Sequence, residues 1–95
     1  QELLAESLRK QALKERSSLL LLQAQLARER QNLQTFEAAY QKTQDLFFAG
    51  KANTLTLRDS ELARLNVLLR IDDLKVEAFQ ASMRLQQLRG ALVQN

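Results

Sequence analysis

Apolar side chains recur every seven residues through the first half of the chain, and residues 1–47 contain neither Gly nor Pro. The recurring positions, with two that lie three residues beyond their neighbours, are Leu19, Leu22, Leu26, Leu33, Phe36, Tyr40 and Phe47. A stripe of this period follows one face of an α-helix and favours supercoiling with a partner helix. We therefore predict a first helix over residues 2–47.

The second half of the chain repeats this pattern after a short interruption. Its stripe consists of Leu62, Leu65, Leu69, Val76, Phe79 and Met83. In the interruption, Gly50 can take the positive φ that ends a helix, and Asn53 is a favourable N-cap for the next one. We therefore predict a turn over residues 48–53 and a second helix over residues 54–93.

The two stripes predict that the helices pack against each other in antiparallel directions. If the chain folds back at Gly50, facing residues have numbers with a nearly constant sum of 101 or 102. The facing pairs are Leu19/Met83, Leu22/Phe79, Leu26/Val76, Leu33/Leu69, Phe36/Leu65, Tyr40/Leu62 and Phe47/Leu55. The predicted fold is all-α, a long antiparallel two-helix coiled-coil hairpin in which residues 1–95 form a single unit.

Polar residues interrupt this predicted seam at three levels. The facing polar pairs are Glu15 with Gln86, Glu29 with Asp72, and Thr43 with Arg58. Two carboxylates at one level repel each other, so a cation is needed beside them. The predicted ion pair joins Arg28 or Arg30 to Asp72 or Asp73.

A second apolar stripe lies on the roughly opposite face of the second helix. Its members are Val67, Ile71, Leu74, Ala78, Ala81, Leu85, Leu88 and Leu92. The first helix has a weaker counterpart in Leu13, Leu20, Ala24, Ala27 and Ala38. Because a two-helix hairpin buries only one stripe per helix, the larger residues of the second stripe are expected to contact further helices. Those residues are Val67, Ile71, Leu74, Leu85 and Leu88, and their partners are other helices of a longer parent protein or copies of the chain.

The residue types present argue against catalysis. The chain has no His or Cys, its only glycines are Gly50 and Gly90, and no serine lies in a recognisable nucleophile motif. Adjacent Asp72 and Asp73 diverge by about 100° on a helix and cannot share a proton or substrate. No calcium loop or Gly-rich phosphate loop is recognisable. We expect no enzyme activity, no catalytic residue, no cofactor and no metal site.

Charge and hydropathy exclude two further classes of partner. The net charge of +3 comes from 14 basic and 11 acidic residues. The halves are similarly mixed, with 7 basic and 6 acidic residues in 1–47 and 7 and 5 in 51–95. A nucleic-acid partner is therefore not expected, because it requires basic residues concentrated on one face. No run approaches the roughly 18 apolar residues of a membrane span.

Phe48 differs from the other aromatic residues because it lies off the stripe, beside the predicted turn. In that position its ring either covers the corner of the hairpin or projects toward a partner, and the pattern leaves both options open. The chain begins on Gln1 within a helical pattern and without a capping residue. We therefore expect it to be a piece of a longer protein.

The corner and the C-terminal arm together resemble the outer-membrane efflux protein (TolC-like) family. The resemblance covers residues 15–93 and is carried by the spacing Tyr40-x5-Leu46-x3-Gly50-x2-Asn53, by "TLTLRDSEL" (54–62) and by "RLQQLRGAL" (84–92). Family helices that follow an aromatic, Gly-containing turn begin and end in a similar way. The matching residues here are Leu57, Asp59 and Ser60 at the start, and Leu85, Gly90 and Leu92 at the end.

The resemblance implies a function for the hairpin. Family members are homotrimers that cross the outer membrane of Gram-negative bacteria and continue into the periplasm as a barrel of α-helical hairpins. The chain would then be a periplasmic fragment of that α-barrel, which forms an export duct and touches the membrane only through missing parts of the parent. Its tip, formed by Phe48, Gly50, Lys51, Ala52 and Asn53, would contact a periplasmic adaptor and the inner-membrane pump.

Two alternatives remain open from the sequence. Periplasmic adaptors (membrane fusion proteins) of the same tripartite pumps carry a similar α-hairpin, with a Leu-x3-Gly-x2-Ser-like turn that Leu46, Gly50 and Asn53 nearly match. Lys42 and Asp59 are poor matches to the basic and acidic residues that usually flank that turn. The other alternative is a structural coiled-coil dimerisation module of a cytosolic scaffold.

Overall fold

The chain folds into two long α-helices joined by a short corner. A computed structural model describes residues 2–94, with α1 at Glu2–Phe48 and α2 at Thr54–Gln94. The predicted all-α helical hairpin is confirmed, and the predicted ends of both helices lie within one residue of those observed. This agreement follows from the uninterrupted run of helix-forming residues on each side of Gly50 and Asn53.

The described residues form two compact units, each containing part of both helices. The corner unit is Leu26–Asp73 and includes the connection between the helices. The terminal unit comprises residues 2–25 and 74–94. Within each unit, the α1 segment packs against an α2 segment that runs in the opposite direction.

The face of α1 that packs against α2 is the predicted one. In the terminal unit Leu19 and Leu22 are half-buried, and in the corner unit Leu26, Leu33 and Tyr40 are half-buried as well. Phe36, which the predicted stripe also includes, is 38% exposed. The weaker stripe of α1, which includes Leu13 and Leu20, is exposed. The seven-residue pattern therefore identifies the packed face of α1.

The predicted face of α2 is wrong. In the corner unit Val67 and Ile71 are buried, with 3% and 5% of their surface exposed, whereas Leu69 is 62% exposed. In the terminal unit Ala81 and Leu85 are buried, whereas Val76 and Phe79 are exposed. The second stripe of α2 thus packs against α1, and the first stripe lies at the surface. The α2 members of the predicted facing pairs, such as Leu69 opposite Leu33, are therefore exposed rather than buried in the seam.

The polar levels explain why α2 turns this face toward α1. The predicted register brings Glu29 to Asp72, but in the corner unit both carboxylate oxygens of Glu29 lie 3.3 Å from Nη1 of Arg70. In the terminal unit Glu15 accepts a hydrogen bond of 3.1 Å from Nε of Arg84. The carboxylates of α1 therefore meet arginines, and α2 keeps its aspartates away from the interface.

The ion pair predicted between Arg28 or Arg30 and Asp72 or Asp73 is also wrong. All four side chains are exposed, and no ion pair among residues 2–94 joins them. Glu29, which was expected to require this compensation, already has Arg70 beside it. Thr43, the third predicted polar level, instead donates a hydrogen bond of 2.9 Å to the carbonyl of Ala39 in its own helix.

Candidate interaction surfaces

The corner between the helices is fixed by backbone hydrogen bonds at the end of α1. Gly50 has φ = +75° and donates its N–H to the carbonyl of Phe47 at 3.0 Å. Lys51 donates to the carbonyl of Leu46 at 2.8 Å. These two bonds form a Schellman motif, which satisfies carbonyls that the last turn of a helix leaves unpaired. The predicted positive φ of Gly50 is confirmed.

Asn53 begins α2 as predicted. Its Oδ1 accepts hydrogen bonds of 2.8 Å from both the backbone N–H and the hydroxyl of Thr56. The carbonyl of Asn53 accepts the first helical bond, from the N–H of Leu57 at 3.2 Å. An N-cap of this kind satisfies one of the unpaired donors of the first turn. The corner therefore has a defined conformation at both of its ends.

The corner presents an apolar ring and a cation to solvent. Phe48 is 76% exposed, and its ring makes an edge contact with the half-buried ring of Phe47, at 5.6 Å between centroids. Gly50, Lys51 and Asn53 are also exposed, while Ala52 is half-buried. The structure thus brings the five predicted tip residues together. It resolves the two options for Phe48, because the exposed ring projects outward rather than covering the corner.

The residues predicted to contact further helices lie inside the hairpin instead. Val67 and Ile71 of the corner unit and Leu85 of the terminal unit are buried against α1, and Leu74 and Leu88 are half-buried. They form helix contacts, but the partner is α1 of the same chain. Val67 and Ile71 therefore have little surface left for a second molecule.

The free apolar surface of α2 is its other face, which we call the outer stripe. In the corner unit it consists of Leu55, Leu62, Leu65 and Leu69, and in the terminal unit of Val76, Phe79 and Met83. Each of these side chains is at least 39% exposed. Exposed apolar surfaces of this extent are typical of sites of protein association. As predicted, α2 has a second apolar face that does not pack against α1. This exposed face consists of a different set of residues from the predicted one.

Arg64 contacts two side chains of α1 in the corner unit. Its guanidinium carbon lies 4.8 Å from the ring centroid of Tyr40, in a cation–π arrangement. Its Nη1 lies 4.0 Å from Oε1 of Glu37. The sequence places Arg64 on the same helical face as Val67 and Ile71, a signal that is recognised only when the packed face of α2 is known.

A groove in the terminal unit was missed by the sequence-based prediction. Its apolar floor and rim come from Ala12, Leu13, Leu85 and Leu92, and three arginines line it, namely Arg9, Arg16 and Arg89. The sequence does show the seven-residue spacing of Arg9 and Arg16. The groove, however, forms beside the face of α2 that the predicted register placed away from α1.

The remaining chemistry of the described part is limited. Among residues 2–94, no three His, Cys, Asp or Glu side chains come close enough together to hold a metal ion. Neither α1 nor α2 contains a segment apolar enough to cross a membrane. No protein-family model, curated protein or solved structure matches the chain.

Proposed function

We propose that the hairpin is an assembly module that packs against further helices through the outer stripe of α2. The observation that carries this proposal is the exposure of seven large apolar side chains on one face of α2. Full burial of one such side chain contributes about 1.5–3 kcal/mol. Since α1 already packs on the opposite face of α2, the helix that covers the outer stripe belongs to another copy or to the rest of the parent protein.

In its specific form, the proposal is that this hairpin is part of the periplasmic helical wall of a trimeric outer-membrane efflux or secretion channel. Support comes from the resemblance to the outer-membrane efflux protein (TolC-like) family, which is carried by the corner, by "TLTLRDSEL" (54–62) and by "RLQQLRGAL" (84–92). A helix in a closed barrel has a neighbour on each side, so it requires two apolar faces. The buried and exposed stripes of α2 satisfy this requirement.

The corner supplies the second part of the proposed function, which is docking of a periplasmic adaptor at the tip. Phe48 offers an exposed apolar ring and Lys51 an exposed ammonium group. The Schellman motif and the Asn53 cap fix the backbone between them. A surface that is ordered before binding loses less conformational entropy when a partner binds.

Site-specific photo-crosslinking in the intact parent protein tests both parts together. A photoreactive residue at Leu69, in the outer stripe, is expected to crosslink to a second copy of the parent or to another helix of the same copy. One at Lys51 is expected to crosslink to a periplasmic adaptor, because this side chain is exposed at the tip. Lys42, exposed on α1 away from the outer stripe, is the control position and is expected to give neither product. The parent is expected in the outer-membrane fraction.

The outcomes separate the alternatives. A parent in the soluble cytosolic fraction contradicts both pump functions and favours a structural dimerisation module. Crosslinking of Lys51 to an outer-membrane channel, in a parent held at the inner membrane, identifies an adaptor hairpin instead. Crosslinks at Leu69 that are no stronger than those at Lys42 contradict the assembly surface itself.

A further inference from the structure

Folding separates the charges of this chain in a way that the linear sequence hides. The terminal unit contains 7 basic and 4 acidic residues, and the corner unit 7 of each. The net charge of +3 therefore resides in the terminal unit, although the two helices have similar compositions. Across residues 9–16 and 84–92 there are six basic side chains and one carboxylate, that of Glu15. This carboxylate already has Arg84 as its partner.

The groove of the terminal unit combines this positive charge with an apolar floor. Leu85 in the floor is buried, Leu92 is half-buried, and Leu13 is exposed at the rim. The groove has a volume of about 360 Å³. None of its three arginines takes part in an ion pair among residues 2–94. A ligand that fits this surface has apolar side chains between carboxylates.

Residues 59–73 of α2 have this chemistry on their exposed face. The outer stripe supplies Leu62, Leu65 and Leu69, and four exposed carboxylates accompany it, those of Asp59, Glu61, Asp72 and Asp73. The two arginines of this segment are paired with carboxylates of α1, Arg70 with Glu29 and Arg64 with Glu37, although the Arg70 side chain stays 59% exposed. Exposed Arg58 and Lys75 flank the segment, so the excess of carboxylates over cations is confined to residues 59–73. The corner unit therefore has an acidic apolar face although its net charge is zero.

We propose that the basic groove of the terminal unit binds the acidic outer face of residues 59–73 in a second copy of this chain. The leucines of that face cover Leu13, Leu85 and Leu92, while its carboxylates approach the arginines at the rim. Arg9 and Arg16 are seven residues apart, which is about 10.5 Å along α1 and matches the repeat of a packed helix. The inference rests on the proposed assembly function and adds to it the surface that the outer stripe meets.

The contact joins two different patches, so it is heterologous. Such interfaces produce rings when the rotation closes and open chains when it does not. Charge complementarity favours this pairing over groove-to-groove contact, which would oppose six arginines. It also sets the pairing apart from contact between two outer stripes, which would oppose two sets of carboxylates.

Charge reversal in the full chain tests this pairing. One variant carries Arg9→Glu, Arg16→Glu and Arg89→Glu, and another carries Asp59→Lys, Glu61→Lys and Asp73→Lys. Each alone is expected to weaken self-association about tenfold or more in sedimentation equilibrium, because like charges then face each other. An equimolar mixture is expected to restore association to within about threefold of the unmodified chain, since every contact again joins opposite charges.

A matched control separates this contact from a general effect of charge. The substitutions Arg28→Glu, Arg30→Glu and Lys42→Glu change the net charge as much as the groove variant does, at exposed positions of α1 in the corner unit. They are expected to change association less than about twofold. Circular dichroism verifies that each variant keeps its helicity, and Arg→Gln replacements at positions 9, 16 and 89 serve if a reversed variant unfolds.

The possible contrary results are distinct. Failure of the mixture to restore association, or equal weakening by the control, overturns the proposed pairing. If the arginines instead govern binding to vesicles containing an anionic phospholipid and leave self-association unchanged, the groove faces a membrane and the pairing is overturned. If association depends on Leu62 and Leu69 but on none of these charges, the proposed pairing is overturned and the proposed assembly function stands. An unmodified chain that stays monomeric overturns it even where the Leu69 crosslink in the parent succeeds.

Discussion

At the scale of single residues, the corner depends on two side chains with different roles. Gly50 has the positive φ that the Schellman motif requires, and Asn53 satisfies the first turn of α2 through Thr56. Neither role involves tertiary packing: a Cβ added at Gly50 would meet no atom within 4 Å. The conformation of the corner is therefore encoded locally. Another residue at position 50 would be disfavoured by backbone strain alone.

Replacing Gly50 by Ala is expected to lower the free energy of unfolding by about 1 kcal/mol, because an L-residue is disfavoured at φ = +75°. Gly90 offers a matched control inside α2. A methyl group added there would also enter open space, but the φ of Gly90 is not positive. Gly90→Ala is expected to raise the free energy of unfolding by roughly 0.5–1 kcal/mol through helix propensity. Urea denaturation of both variants measures the contrast, and equal shifts in the same direction would contradict it.

At the scale of elements, the two stripes of α2 compete for α1. The outer stripe has the larger side chains, but its seven-residue series passes through Arg58, Asp72 and Gln86. The buried stripe is apolar throughout 67–92, and it leaves Arg70 and Arg84 beside the carboxylates of α1. Burying an unpaired charge costs more free energy than is lost when smaller apolar side chains are buried in place of larger ones. The stripe without charges is therefore the one that packs against α1.

A pair of aspartate substitutions distinguishes the two faces of α2. Ile71 is 5% exposed, so Ile71→Asp buries a charge and is expected to cost several kcal/mol of stability. Leu69 is 62% exposed, and Leu69→Asp is expected to cost less than about 1 kcal/mol. Thermal unfolding of dilute protein, followed by circular dichroism, gives both values. A larger loss for Leu69→Asp than for Ile71→Asp would support the register that the sequence first suggested.

The elements also define how far the sequence alone predicts this structure. Both helices, Gly50, Asn53 and the packed face of α1 follow from local signals and from one dominant period. Sums of residue numbers place facing residues at nearly the correct level, since Glu29–Arg70 and Glu15–Arg84 sum to 99 and Glu37–Arg64 to 101, against the predicted 101 or 102. A shift of two residues is only about 3 Å along the axis but turns a helix by about 200°. The rotation of α2, and with it the groove and the outer stripe, therefore required tertiary information.

At the scale of the whole molecule, the unequal charge of the two units predicts unequal responses to salt. The terminal unit has a net charge of +3, with Lys10 and Lys14 one turn apart on the same face of α1. The corner unit has no net charge, and the Glu29–Arg70 pair stabilises it. Salt screens repulsion and attraction alike. In the terminal unit it relieves the excess positive charge and also weakens the Glu15–Arg84 pair, whereas in the corner unit, which has no net charge, it weakens the Glu29–Arg70 pair.

Amide hydrogen exchange in dilute protein at about 20 mM and about 500 mM salt, where the Debye lengths are roughly 20 and 4 Å, measures these responses separately. Protection within residues 9–25 and 78–92 is expected to rise about twofold with salt, because each relieved like-charge contact contributes a few tenths of a kcal/mol. Protection around Glu29 and Arg70 is expected to stay constant or fall. Replacing Arg9 and Arg89 by Gln removes two positive charges from the terminal unit and is expected to abolish most of its response. A uniform rise in both units, or an unchanged response in that variant, would show that charge segregation has no influence on stability.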